Sequence, residues 1–119
     1  MNPEELKQRT QQFALRVLAL AGALPRSPAG RVIAYQLIKS ATSVGANYRA
    51  ACRGKSKADF VSKLGTVVEE ADESVYWMEL IMAGGLMKPE LVQPLCQEAN
   101  ELTAIFAAGL KTAKRNSSE

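Results

Sequence analysis

The chain of 119 residues contains no histidine, only two cysteines and a single tryptophan. Histidine is the commonest general base and metal ligand near neutral pH, so its absence argues against much hydrolytic and metal-dependent chemistry. Di-iron sites in helical proteins use Glu-x-x-His pairs, which this chain cannot supply. Cys52 and Cys96 cannot complete a common structural zinc site alone. We therefore expect no metal, no cofactor, and two buried or half-buried thiols.

Other signatures of enzymes are also missing. Gly84-Gly85 is followed by Leu86-Met87 and has no strand before it, so it does not resemble a phosphate-binding loop. Five carboxylates lie between residues 69 and 79, but on a helical wheel most of them point away from the apolar stripe. A solvated or interfacial face explains them better than a metal site does. We predict that the protein is not an enzyme.

No apolar run is long enough to cross a bilayer. The longest, residues 13–24, is interrupted by Arg16 and is well short of the roughly 20 residues that a span requires. The first twelve residues, MNPEELKQRTQQ, are polar and partly acidic, whereas a secretory signal is basic and then apolar. We therefore expect a cytoplasmic protein without membrane contact, built as one domain over residues 1–119.

The chain instead carries the marks of four helices. Proline stands at an early helical position at residues 3, 28 and 89, and Ser56 begins a sequence like a capping box. Pro25, Gly54 and Gly84 end the first three helices. The predicted helices cover about 3–24, 28–53, 57–83 and 89–114, with a frayed tail over 115–119. Connections this short require antiparallel neighbours, so the predicted fold is an all-α, up-down-up-down four-helix bundle.

Each predicted helix has one apolar stripe that would face the core. In the first helix Leu6, Phe13 and Val17 belong to this stripe, and Leu18 widens it. Leu91 begins the corresponding stripe of the fourth helix. We expect these side chains to be buried.

The middle of the second predicted helix is rich in small side chains. Gly45 costs up to about 1 kcal/mol relative to alanine inside a helix, and close approach of a neighbouring helix would compensate for it. Ser40 lies on the core side, and Asn47 lies at its edge, where an unbonded amide would be costly to bury. We interpret Ser40, Gly45 and Asn47 as a close-packing site rather than as a ligand site.

The opposite face of the second helix is basic. Residues 1–57 hold ten Lys or Arg and two Glu, whereas the remaining residues hold five bases and ten acids. Such a dipolar chain can satisfy its charges internally, join copies of itself, or bind a polyanion. The candidate nucleic-acid-binding residues on this face and in the loop after it are Arg31, Lys39, Arg49, Arg53, Lys55 and Lys57.

The third predicted helix carries large apolar residues outside its core arc. Tyr76, Trp77 and Leu80 lie within five positions, and so many off-core apolar groups suggest a second contact surface. Asp59 and Lys63 form an i, i+4 pair in the favourable order. The candidate oligomer interface consists of Asp59, Lys63, Glu70, Glu73, Tyr76, Trp77 and Leu80.

Two segments of the chain resemble a known family. SVGANYRAACRGKSKADFVSKL at 43–64 and EEADESVYWMEL at 69–80 are similar to the four helix bundle proteins whose founding members are encoded in intervening sequences of bacterial 23S ribosomal RNA genes. The resemblance extends over about residues 13–116 and implies up-and-down bundles that assemble as rings, typically homopentamers. Some relatives serve diversity-generating retroelements and bind nucleic acid and a reverse transcriptase. Many relatives have Glu where this chain has Ala50, so no electrostatic contact is carried over to that position.

Two functions follow from these observations. The leading hypothesis is a self-assembling interaction protein in which the basic second helix meets the acidic third helix of an adjacent copy, a heterologous contact that closes into a ring when the rotation allows. The alternative is a nucleic-acid-binding accessory protein that contacts RNA or DNA phosphates through the basic face, with a reverse transcriptase as a further partner.

Overall fold

In a computed structural model, which describes residues 1–117, the chain folds into four α-helices joined by short turns. The helices are α1 (Pro3–Gly22), α2 (Pro28–Cys52), α3 (Lys57–Ala83) and α4 (Pro89–Ser117). Neighbours in sequence pack side by side, α1 on α2, α2 on α3 and α3 on α4, and α1 returns to α4. The result is a rod of about 50 × 22 × 19 Å. The predicted all-α four-helix bundle is confirmed.

Side-chain caps fix the starts of the first three helices. The Asn2 Oδ1 accepts a hydrogen bond from the Glu5 amide at 2.9 Å, which satisfies one of the free donors of the first turn of α1. Ser27 caps α2 and Ser56 caps α3 in the same way, at 3.2 and 3.0 Å. These are the serines that the sequence pattern placed at helix starts.

The ends of α1, α2 and α4 differ from the predicted ones by one to three residues, and the end of α3 matches its prediction. The helix α1 ends at Gly22 rather than at 24, although the amides of Ala23 and Leu24 still bond to carbonyls of its last turn. The expected frayed tail is wrong for residues 115–117, because α4 continues through them. The last two residues of that tail lie outside the described part of the chain.

Pro94 lies inside α4 without ending it. Proline has no amide hydrogen, so the carbonyl of Glu90 loses its intrahelical donor. Glu90 is exposed, which leaves that carbonyl open to water. The helix predicted over about 89–114 runs through this position in the same way.

The core runs along the length of the rod and draws on all four helices. Its largest fully buried apolar side chains are Phe13, Val17, Leu37, Val44, Val67, Met78, Ile81, Val92, Leu102 and Phe106. Two expectations are wrong here: Leu18 is 45% exposed and Leu91 is 62% exposed. Leu18 lies one turn beyond Ala14, on the flank of α1, and Leu91 lies in the first turn of α4, at one end of the bundle.

The seam between α1 and α4 is held by charge. Arg9 donates to both carboxylate oxygens of Glu98, at 2.8 and 2.7 Å, and to Glu101 at 3.2 Å. Hydrogen bonding to Glu98 raises the pKa of the Arg9 guanidinium above its ordinary value. Over residues 1–117, none of the helices is long and apolar enough to cross a bilayer.

Candidate interaction surfaces

The predicted close-packing residues lie where α2 meets its two neighbours. A Cβ added to Gly45 would lie 3.1 Å from the Thr10 Oγ1 and 3.3 Å from its Cβ, so α1 approaches α2 closely at this point. Ser40 is buried between α2 and α3, where its hydroxyl lies 3.0 Å from that of Ser74. Small residues therefore bring both neighbouring helices near the backbone of α2.

The half-buried amide of Asn47 is satisfied within its own helix. Its Nδ2 donates to the carbonyl of Ser43, one turn earlier, at 2.8 Å. The Ser40 hydroxyl also has a partner in its own helix, the Leu37 carbonyl at 3.2 Å. These polar groups have structural partners, and neither is directed at a ligand.

The six predicted basic residues do not form one continuous patch. All six are exposed, but Arg31 and Arg49 are 18 positions apart on α2, or about 27 Å at 1.5 Å per residue. The positive charge of Lys39 lies close enough to Glu70 to favour the ionised form of that carboxyl, and the charge of Lys55 favours the ionised form of Asp59. Only part of the set is brought together.

Arg49 and Arg53 border a groove between α1 and α2 with a volume of about 490 Å³. Lys7 of α1 lies on the opposite wall, beside Glu4. Among residues 1–117, Lys7, Arg49 and Arg53 form no ion pair within 4 Å. We call this feature the α1–α2 groove. It is lined by Glu4, Lys7, Gln8, Thr10, Gln11, Ala14, Thr42, Gly45, Ala46, Arg49 and Arg53.

The contribution of α1 to this groove was not predicted. Lys7 was not among the predicted binding residues, because a single sequence does not indicate which residues of one helix lie opposite those of the next. The contact between Thr10 and Gly45 fixes that register in the structure.

Asp59 and Lys63, proposed for the oligomer interface, pair with each other. Lys63 Nζ lies 2.9 and 2.8 Å from the two carboxylate oxygens of Asp59. Asp59 Oδ2 also accepts from the Lys55 amide at 3.3 Å, which ties α3 to the loop before it. Hydrogen bonding from Lys63 holds the pKa of Asp59 below its ordinary value. Both charges already have an intramolecular role.

The remaining proposed interface residues lie further along α3. Tyr76 is 52% exposed, whereas Trp77 and Leu80 are half-buried, and the Trp77 indole packs partly on the core. Trp77 Nε1 donates to the Glu73 carboxylate at 3.1 Å, and its ring meets that of Tyr76 edge-on at a centroid distance of 5.1 Å. Of the two rings, Tyr76 is therefore the more exposed. Burial, with help from the nearby Glu73 carboxylate, raises the pKa of Glu70, another acid of the proposed interface.

Helical spacing places Tyr76 on an acidic outer face. Positions 69, 72, 73, 76, 79 and 80 follow the i, i+3, i+4, i+7 pattern of one side of a helix. Lys and Arg are absent from residues 64–87, so the face has no basic residue on it. We call this face the α3 ridge, which consists of Glu69, Asp72, Glu73, Tyr76, Glu79 and Leu80.

Large apolar side chains are exposed mainly in one half of the rod, the half with the α1–α2 and α3–α4 turns. In the described chain, and apart from Met1, the large apolar residues that are most exposed are Leu15, Leu18, Val32, Tyr35, Tyr76 and Leu91. Leu15 and Leu18 belong to the second half of α1, and Val32 and Tyr35 to the first half of α2. The bases around the α1–α2 groove lie toward the other half.

The two cysteines differ in exposure. Cys96 is buried, and burial raises the pKa of its thiol, whereas Cys52 at the end of α2 is exposed, contrary to expectation. Burial also raises the pKa of the Tyr48 hydroxyl, with a smaller contribution from its hydrogen bond to Cys52. Within residues 1–117, no three Cys, Asp or Glu side chains come together as a metal-binding group.

Comparison with known proteins places this chain in a family. It matches the family model described as 23S rRNA-intervening sequence protein over residues 4–108. A crystal structure from Bacteroides thetaiotaomicron, described as a protein with unknown function from the S23 ribosomal protein family, is similar with a TM-score of 0.85 and 30% sequence identity. That similarity covers 93% of this chain and 99% of the other. No curated protein matches the chain. This chain belongs to the family of 23S rRNA-intervening sequence proteins.

Proposed function

We propose that this protein has no catalytic activity and acts as a self-assembling interaction module whose α3 ridge contacts another copy. The observation that supports the proposal is Tyr76, an aromatic side chain that is 52% exposed in a segment, residues 64–87, that has four carboxylates on the same face and no Lys or Arg. Tyrosine is enriched in protein interfaces because its ring is apolar and its hydroxyl remains polar. Surrounding acids would favour a partner surface of the opposite charge.

A contact between two different faces is heterologous, and it forms a closed ring when the rotation from one copy to the next divides a full turn. The family resemblance favours a homopentamer. An α3 ridge that meets a basic surface of the next copy is a contact of this kind. In this proposal the cytoplasmic protein is a ring, and its own copies are its first partner.

Light scattering tests this proposal. We expect the protein at micromolar concentration to be oligomeric at low salt and less so at high salt, because attraction between exposed charges is screened. Tyr76→Asp should lower the molar mass, since it removes the aromatic ring from the contact and would bury a carboxylate in its place. Leu91→Asp is the matched control, because Leu91 is exposed to a similar degree, 62% against 52%, but lies on α4. A monomeric wild-type protein at both salt concentrations would refute self-assembly.

Nucleic-acid binding is a second candidate function. It is supported by Arg49 and Arg53, which are exposed and, within residues 1–117, have no acidic partner within 4 Å. With Lys7 across the groove they could neutralise phosphates of RNA or DNA without reading the sequence. In an assembly that leaves the groove open, each copy would present this group once, and weak sites would add through multivalency. Family resemblance suggests a reverse transcriptase as a further partner.

Electrophoretic mobility shifts with structured RNA and with single- and double-stranded DNA test this second function. We expect binding that falls steeply with salt and is lost in the double variant Arg49→Glu, Arg53→Glu. Arg16→Glu with Lys111→Glu is a control of equal charge change at exposed positions outside the groove. Binding that survives the first pair of substitutions would show that the groove is not the nucleic-acid site.

A further inference from the structure

We infer that the α1–α2 groove is the surface that receives the α3 ridge of a second copy, with the two bundles side by side and pointing in the same direction. This inference rests on the proposed self-assembly, and it names the segment and the orientation involved. Four features of the two surfaces support it: their charge, the floor of the groove, the apolar residues that continue it, and the spacing along the helices.

The charges of the two surfaces are opposite. The groove is bordered by Lys7, Arg49 and Arg53 and by one acid, Glu4. The ridge carries four acids, and no base occurs in residues 64–87. The three bases have no ion-pair partner in the described chain, and Glu69 and Asp72 have none either. Charges that are unpaired within one copy are available to a second.

The floor of the groove is made of short side chains. Thr10 and Ala14 of α1 face Thr42, Gly45 and Ala46 of α2. No long side chain covers this floor, so a ring from another chain can approach the helices closely. The groove volume of about 490 Å³ is within the usual range of protein pockets, roughly 300–1,000 Å³. The aromatic ring that the ridge offers to it is that of Tyr76, which is 52% exposed.

Exposed apolar residues continue the two walls of the groove toward its far end. Leu15 and Leu18 each lie four residues after a groove residue, Gln11 and Ala14, and therefore on the same side of α1. Tyr35 lies seven residues before Thr42 on α2 and shares its side. These three side chains are 52%, 45% and 64% exposed. Arg31 and Lys39 lie on the same side of α2, so the extended groove is basic along α2 and gains apolar side chains only at its far end.

The spacing of charge and ring along the ridge matches this division. From Glu69 to Tyr76 is seven residues, about 10 Å along α3. From Arg49 to Thr42, where the apolar part begins, is also seven residues along α2. With Glu69 and Asp72 beside the arginines, Tyr76 reaches the level of Thr42.

This register also fixes the orientation. The α3 ridge would run from the end with Arg49 and Arg53 to the end with the apolar side chains, antiparallel to α2 and parallel to α1. Within one bundle α3 already runs parallel to α1. Neighbouring bundles would therefore point the same way. Because Ser74 contacts Ser40 within one bundle, this register shifts the next bundle by about four residues, roughly 6 Å, along the rod, so a closed ring requires rods that are tilted to its axis.

Charge reversal tests the pairing of the two surfaces. The groove variant carries Arg49→Glu with Arg53→Glu, and the ridge variant carries Glu69→Lys with Asp72→Lys. Each alone should shift the concentration for half-assembly upward by about tenfold or more, because like charges would face each other. A chain that carries all four substitutions should assemble again, since every contact then joins opposite charges whatever the number of copies in the ring. All four positions are exposed, so circular dichroism should show both variants to be helical.

The outcomes separate the inference from the function on which it rests. A wild-type monomer would overturn self-assembly itself. A wild-type oligomer whose groove variant assembles normally, or whose variant with all four substitutions fails to recover assembly, would overturn the pairing alone. If the groove variant is not helical, Arg49→Gln with Arg53→Gln takes its place, with a smaller shift expected. Arg16→Glu with Lys111→Glu should leave assembly unchanged. Loss of assembly on adding single-stranded RNA to the wild-type protein would support a groove shared by two ligands. Assembly unaffected by bound RNA that the groove variant no longer binds would contradict occupation of the groove by the ridge.

Disulfide cross-linking tests the orientation. In a Cys52→Ser background, which removes the exposed native thiol, Thr42→Cys with Tyr76→Cys should give a ladder of covalent oligomers on mild oxidation. Arg53→Cys with Tyr76→Cys is the control, because position 53 lies eleven residues, about 16 Å, further along α2. A ladder from the control pair and none from the first pair would overturn the parallel arrangement.

Discussion

The seams that α2 forms with its neighbours differ in kind from the seam between α1 and α4. At the two seams of α2, Gly45 meets Thr10 of α1 and Ser40 meets Ser74 of α3, so uncharged small groups bring the helices together. At the α1–α4 seam, α1 is tied to α4 by the guanidinium of Arg9 and two carboxylates. One type of seam depends on shape, and the other depends on charge.

The difference determines what can weaken each seam. Close packing against a glycine has no ionic component, so salt cannot loosen it, but any added volume must displace backbone or side chains. A charged contact tolerates changes of shape and is sensitive to ionic strength when partly exposed. Arg9 and Glu98 retain 24% and 16% of their side-chain exposure, so solvent reaches this contact.

The largest effect is expected at the shape-dependent seam, from Gly45→Leu. The new side chain would start 3.1 Å from the Thr10 hydroxyl, and overpacking of this kind costs about 1–3 kcal/mol of unfolding free energy. Gly65→Leu is the matched control, because no atom beyond its own helix lies within 4 Å of a Cβ there. The control should gain up to about 1 kcal/mol from helix propensity. Urea denaturation measures both, and equal effects at the two glycines would contradict the close approach.

A smaller effect is expected at the charged seam, from Arg9→Met. This change removes two hydrogen bonds to Glu98 and leaves a partly buried carboxylate without its partner, at a cost of about 1–2 kcal/mol. The difference between wild type and variant should shrink in high salt. The raised pKa of Arg9 keeps the guanidinium charged up to strongly alkaline pH, so salt rather than pH reveals the contact. Arg16→Met, an exposed change on the same helix, should cost much less, and a salt-independent loss at Arg9 would argue against an ionic seam.

The shape-dependent features could largely be inferred from the sequence. Helical periodicity, prolines at helix starts and serine caps act within a few residues, so the four helices were placed with ends correct to within three residues. The helix α3 was placed without error, because Ser56 and Gly84 bracket it with strong local signals. The family resemblance seen in residues 43–80 is confirmed by the match over residues 4–108.

The charged and exposed features were harder to predict, because they depend on register between helices. Arg9 was not singled out, since its partner Glu98 is 89 positions away. Leu18 was expected in the core because a helical wheel assigns it to the edge of the stripe, and only the position of α2 decides that edge. Lys7 was not predicted to lie opposite Arg49 and Arg53, because that too depends on the register of α1 against α2. Occupation of the resulting groove by the α3 ridge, or by nucleic acid, is a prediction that the assembly and mobility-shift experiments test.

The smallest expected effect lies at the start of α3, where Asp59 in the first turn pairs with Lys63. The pKa of Asp59 is lowered from 3.8, so the folded state binds its proton less readily than the unfolded state does. Its contribution to stability is therefore present above about pH 4 and is lost as the pH falls through the lowered value. Asp59→Asn should be slightly less stable than wild type near neutral pH, and the gap should close in acid. Thermal melts between about pH 7 and pH 2 check this, with Glu90→Gln, an exposed acid without an ion pair in residues 1–117, as the control. A gap that stays constant with pH would mean that Asp59 acts through the geometry of the loop and not through its charge.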